Sequence, residues 1–146
     1  MLRYEFRRAA DSGPWAAWAA ERIKGCARGF GACVTMGVIG PEGLRAVLVF
    51  NDWNPEAGTM QVSAASNGKP WLSRSVLRAW HRYVFEEAGC QLAVVMTAPD
   101  NKPVRRGCKA FGYRETIVPR LRGREEDGVV LTLTDDDWKR SRFAKE

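Results

Sequence analysis

The residues able to do chemistry in this 146-residue chain gather in a few places. One is residues 66–75, reading SNGKPWLSRS, where Gly68, Ser73, Arg74 and Ser75 bring backbone N–H groups, hydroxyls and a guanidinium to the expected start of a helix. Unpaired donors at the positive end of a helix suit an anion. The plainer reading packs Trp71 under the helix and leaves Arg74 in solvent. A second set is the thiols Cys26, Cys33, Cys90 and Cys108, which are scattered and form no Cys-x-x-Cys pair. They read as reduced cysteines rather than a disulfide framework, and with His81 as the lone histidine they imply no metal site. His81 itself reads as a helix-surface residue rather than a catalytic base. The third set lies in the last third of the chain, where Arg105, Arg106, Lys109, Arg114, Arg120, Arg122 and Arg124 supply much of the net charge of +6 beside Glu125, Glu126 and Asp127. Such charge fits a phosphorylated ligand, an acidic partner, nucleic acid or simply solvent.

Positioning these groups requires regular elements, and the most telling stretch is residues 91–113. Residues 92–98 form an apolar, β-branched run that predicts a strand buried on both faces. Asp100 or Asn101 can cap the helix that follows, Pro103 suits its first turn, and Val104, Cys108 and Phe111 fall at helical spacing before Gly112. The order Asn101, Val104, Cys108, Gly112 and Tyr113 resembles the last acetyl-CoA-binding element of the GCN5-related N-acetyltransferase family. In that family a tyrosine stands where this chain has Cys108. More loosely, the Trp-Leu-Ser-Arg stretch at 71–74 is similar to a divergent branch often met in phage and prophage genomes.

The remaining pattern predicts a short strand over 2–6 and a helix over 11–24 with Trp15, Trp18, Ala19 and Ile23 on one face. Strands follow over 33–39, 45–50 and 59–65, then the strongest helix, 71–87, with Leu72, Val76, Trp80 and Val84 inward. After Tyr113 come a strand to about residue 118, a turn over 119–128, a strand over 129–133 and a closing helix start at Thr134. The implied fold class is mixed α+β, a mostly antiparallel central sheet of six to seven strands flanked by helices, in one domain spanning 1–146. An antiparallel meander excludes a doubly wound parallel sheet. No apolar run approaches the roughly 20 residues of a membrane span, and the start of the chain lacks a signal-peptide core, so the expectation is a cytoplasmic protein without membrane contact.

The resemblance implies an acetyl-CoA-dependent N-acetyltransferase acting by direct attack in a ternary complex with an amine-bearing acceptor. In the family the pantetheine arm enters where the third meander strand parts from the central strand, which corresponds to Val62, Ser63 and Ala64 and to Thr97, with Asn101 bonding the arm. Gly68, Ser73, Arg74, Ser75 and Arg105 would meet the phosphates, although the family's glycine-rich cradle is not recognisable. Cys108, in the tyrosine position, is the candidate acid for the leaving thiolate, since an ordinary thiol near pKa 8.5 matches its basicity. Glu56, or else residues 125–127, is the candidate base, with Ser63, Asn51 and Asp52 as further polar groups. Trp53, Arg120 and Arg122 are candidates for binding the acceptor, and a homodimer is possible. Two alternatives stay open: a catalytically degenerate binding module on this fold, and a nucleic-acid-directed acyltransferase or binder.

Overall fold

Alternating apolar and polar residues bury one face of a strand, and helical spacing buries one stripe of a helix, so the segments above can share a single sheet with helices on both sides. In the computed structural model, which describes residues 1–145, they do. The order is β1 (Arg3–Arg7), α1 (Gly13–Arg22), β2 (Cys33–Gly40), β3 (Gly43–Asn54), β4 (Thr59–Ser66), α2 (Arg74–Arg82), β5 (Leu92–Thr97), α3 (Lys102–Phe111), β6 (Arg114–Gly123), β7 (Glu126–Thr134) and α4 (Asp135–Arg140). Residues 23–32 form turns and bends.

The seven strands lie in the order β1-β2-β3-β4-β5-β7-β6. Neighbours are antiparallel except β4 and β5, which are parallel and therefore need the crossover that α2 supplies. Helices α2, α3 and α4 cover one face, packing Trp80, Cys108 and Trp138 against Leu48, Val62 and Leu131. On the other face α1 covers only β2 to β4, setting Ala19, Trp15 and Trp18 over Val47, Val49 and Ala65. Trp15 can lie flat there because Gly37 has no side chain, and a Cβ at that position would stand 2.6 Å from the indole.

Several expectations change. The run at 92–98 is buried on one face rather than two: Ala93, Val95 and Thr97 point to the helices, whereas Met96 is 40% exposed because α1 does not reach β5. The helix expected from residue 71 begins at Arg74, since Ser73 stays extended and its hydroxyl accepts from the Val76 N–H. It ends in a π-helical turn, Tyr83–Glu87. The expected turn at 119–128 is largely strand, with β6 running to Gly123 and β7 starting at Glu126. At the start of α1, Ser12 occupies the capping position, but its hydroxyl donates back to the Arg7 and Arg8 carbonyls.

His81 is the largest correction. It is wholly buried, stacked on the Phe111 ring at 4.2 Å and the Trp80 ring at 4.4 Å. Because a carbonyl can only accept, the 2.7 Å contact with Leu77 O puts the proton on Nδ1. Nε2 then accepts from the Tyr113 hydroxyl at 2.6 Å. Gly112, at φ 122°, turns the chain after α3 and sends Tyr113 inward to make this bond. The imidazole has both nitrogens satisfied as a neutral ring, and burial pulls its pKa down from 6.5 to about 3.

That shift fixes a pH dependence. The unfolded chain takes up a proton at this histidine below pH 6.5 and the folded chain does not until about pH 3, so stability is complete above 6.5 and falls as pH drops through that window. Between pH 7 and pH 5 the loss is expected to be about 2 kcal/mol. Urea titrations of the unmodified chain and of a His81→Phe, Tyr113→Phe double variant check it, the variant showing a nearly flat profile over this range.

Candidate active site

The parallel ladder between β4 and β5 is short, running from Thr59 opposite Leu92 to Val62 opposite Val95. Beyond it the strands part, although β4 continues to Ser66 and stays bonded on its other side to β3, from Val49 opposite Ser63 to Ala46 opposite Ser66. Residues 63–66 therefore turn one backbone edge toward a fork whose other arm is Met96 and Thr97. Inside a protein such an edge needs a partner, and an extended ligand can supply one as an added strand does.

Side chains alternate across this fork. Val62 and Ala64 face α2 and α3, while Ser63 lies on the face of Val49 and Ala65, under α1. On the helix side a cavity of about 50 Å³ opens, lined by Val62, Ala64 and Val95 from the sheet, Leu77 and Trp80 from α2, and Val104 and Cys108 from α3. Trp80 is 5% exposed, and its Nε1 is buried without a hydrogen-bond partner. At the rim, Asn101 Nδ2 donates to Thr97 Oγ1 at 2.9 Å, joining two of the expected cofactor contacts. The Asn101 side chain does not cap α3.

The loop from β4 to α2 lies at the same end of the sheet. Gly68 takes φ 91°, and its N–H donates to Ser66 Oγ at 3.2 Å. Ser73 Oγ and Ser75 Oγ are 3.1 Å apart, which gathers the expected phosphate-facing hydroxyls at the first turn of α2. Arg74 lies over the Phe143 ring at 5.2 Å. Arg45 braces the loop, donating from Nη1 to Pro70 O at 2.9 Å.

Arg105 does not join this cluster. Its Nε and Nη2 each bond Glu115 at 2.8 Å and its Nη1 bonds Pro99 O at 2.6 Å, so the guanidinium is committed to tying α3 to β6. Cys108 does line the cavity, but burial pushes its thiol up to about 12. Passing its proton to an ordinary thiolate then runs uphill by about 5 kcal/mol, which removes the pKa match behind the acid role.

Glu56 and Trp53 sit at the wrong end. The fork opens at the C-terminal end of β4, and these residues lie at or near the β3–β4 turn before its N-terminal end. Asn51, opposite Gln61, is one register position short of the fork's apex at Val62, and Asp52 follows it into the irregular stretch of the β3–β4 ladder. At about 3.3 Å per residue, Ser63 stands about 13 Å along β4 from Thr59, and Glu56 lies beyond that. Trp53 is 54% exposed. Arg120 and Arg122, by contrast, are at the fork end, because Thr97 pairs with Val129 near the start of β7 and the β6–β7 hairpin extends past it. Arg120 has φ 64° and its N–H donates to Asp127 Oδ1 at 3.3 Å. Lys24, bonded to Glu126 at 2.7 Å, holds that carboxyl below its ordinary pKa, with a smaller contribution from Arg122, so the hairpin leans on the segment after α1.

The sequence reading missed the His81–Tyr113 pair at the floor of the cavity. A signal existed: His81 follows Leu77 by four positions and so shares its inward stripe. Among the described residues no group of three His, Cys, Asp or Glu side chains can hold a metal ion, and no helix is long and apolar enough to cross a membrane.

No protein-family model matches the chain, and no curated protein matches its sequence. Solved structures do match by shape. A single-site mutant of spermidine N-acetyltransferase SpeG from Vibrio cholerae superposes with a TM-score of 0.73 at 11% identity, over 95% of this chain and 96% of that one. A GCN5-related N-acetyltransferase from Brucella melitensis gives 0.60 at 20% identity, over 88% of this chain and 59% of that one. A probable acetyltransferase gives 0.62 at 17% identity over 73% of this chain, which spans 64% of its length. At these identities the likeness is one of fold: the chain has the fold of the GCN5-related N-acetyltransferases.

With its pKa near 12, Cys108 holds about one thiolate in ten thousand at pH 8. Maleimide labelling read by peptide mass spectrometry is expected to modify the partly exposed Cys26 first and leave Cys108 untouched until guanidinium unfolds the chain. Native labelling of Cys108 as fast as Cys26 would contradict the burial argument.

Proposed function

We propose that the chain is an N-acyltransferase that uses acetyl-CoA or a related acyl-CoA thioester and transfers the acyl group to an amine. The observation that carries this reading is the fork: two parallel strands that part after Val62 and Val95 above an apolar cavity, with a helix start and the Asn101–Thr97 pair at its rim. The residues present fit such a thioester. An extended pantetheine arm needs backbone partners, and residues 63–66 offer an edge; a thioester carbonyl needs a donor, and Trp80 Nε1 lacks an acceptor.

When bound, the thioester supplies an activated acyl carbon at which an amine forms a C–N bond as the C–S bond breaks. The chain's part is to bind and orient. Backbone groups of Ser63 and Ala64 hold the arm, with Val62 packing beneath and Asn101 and Thr97 closing over it. Gly68, Ser73, Arg74 and Ser75 face the phosphates at the start of α2, where the helix dipole favours an anion. Arg120 and Arg122, on the hairpin at the fork end, border the acceptor's approach, and Ser63 is the polar side chain on that face. Water exchanges the proton released by the amine and the one taken by the thiolate, since Cys108 is too weak an acid.

One observation favours a second reading, a thioester-binding module without turnover: the side chain in the family's acid position is a thiol held near 12. Calorimetric titration with acetyl-CoA, followed by thiol release in the presence of polyamines and amino acids, separates the two. Micromolar binding, weakened about tenfold by Asn101→Ala and further by Arg74→Ala, is expected. Binding without thiol release selects the module, and no binding of any acyl-CoA overturns both.

A further inference from the structure

From the cavity we infer that the favoured donor carries an acyl chain longer than acetyl, about four to six carbons, lodged between α2 and α3 beneath the fork. The inference rests on the thioester reading above and names the substrate within it.

The cavity has the wrong chemistry for the pantetheine arm and the right chemistry for hydrocarbon. Pantetheine carries two amides, each needing partners, and a buried amide without them costs a few kcal/mol. Yet both His81 nitrogens are taken, by Leu77 O and by the Tyr113 hydroxyl, whose proton is committed to His81 in turn. The other walls are apolar: Val62, Val95, Leu77, Val104 and Phe111. Among the described residues that line the cavity, Trp80 alone has a buried polar atom without a partner, its Nε1, which can take a single oxygen, and a thioester has a single carbonyl. The backbone edge of residues 63–66 is where amides find partners, so the arm belongs along the fork and the space behind it is left for the tail.

Size sets the chain length. At roughly 10–15 Å³ for each water-sized group, a cavity of about 50 Å³ takes about four such groups. Cys108, a small side chain, forms part of the wall and leaves the space open. Leu72, 46% exposed, stands at the mouth, and the wholly buried His81 closes the floor, so the cavity has an end. A chain that outgrows it gains nothing more.

Calorimetry with CoA, acetyl-CoA, butanoyl-CoA, hexanoyl-CoA and dodecanoyl-CoA tests this. Each methylene buried in the cavity is worth about fourfold in affinity. Butanoyl-CoA is therefore expected to bind at least about tenfold tighter than acetyl-CoA, with the gain levelling off by about hexanoyl-CoA. Filling the cavity from either wall, by Val104→Phe or by Leu77→Phe, is expected to bring the ratio of butanoyl to acetyl affinity to within about twofold of one. The unmodified chain alone decides the matter if a variant fails to fold. Equal affinities across the series, or a preference for acetyl-CoA, overturn the acyl pocket and leave the acyltransferase reading standing. No binding of CoA or any thioester overturns that reading, and this one with it.

Discussion

Strands β4 and β5 run parallel in a sheet that is otherwise antiparallel, and they share only the short ladder that ends at Val62 and Val95. A parallel pair cannot be closed by a hairpin, so the chain must leave the sheet and return, and α2 is that detour. The detour begins where the two strands have already separated, so the exposed backbone edge of residues 63–66, the first turn of α2 and the rim at Thr97 come together at one end of the sheet. Nearly everything assigned to the candidate site follows from that geometry. Residues at the opposite end, however suitable their chemistry, are excluded by the length of a strand.

The helix layer above the fork is held by aromatic packing around a neutral, doubly bonded histidine. Burying His81 is tolerable because Leu77 O and Tyr113 satisfy it in one tautomer and the Trp80, Phe111 and Trp138 rings surround it. The pair fixes the spacing of α2 and β6 and gives the cavity a rigid floor. Arg105 does similar work outside, clamping α3 to Glu115. Rigid walls around an unfilled apolar space are what a binding cavity requires, since a loose core would collapse into it.

The order of elements was legible in the sequence because each strand and helix carries a clear period, and the stretch from Asn101 to Tyr113 reads as the helix and glycine turn that follow β5. What the sequence could not show was which end of each strand a residue occupies relative to the fork. Glu56 and Trp53 looked suitable by type, and only the register of β3 on β4 puts them far away. Arg105 looked available until Glu115 was found opposite it, a partner ten residues on in the next strand. The burial of one face of β5 alone depended on how far α1 extends, which no local pattern encodes. His81 was misread because a polar residue on a helix defaults to the surface, and its long-range partner Tyr113 was the missing information.

Amide hydrogen exchange, measured with and without acetyl-CoA or a longer acyl-CoA, tests the central claim most directly because it reports on the backbone edge itself. The account predicts new protection at residues 63–66 and at the first turn of α2, with residues 54–58 at the far end of the sheet unchanged. Protection that appears elsewhere while residues 63–66 continue to exchange as in the free protein would contradict it.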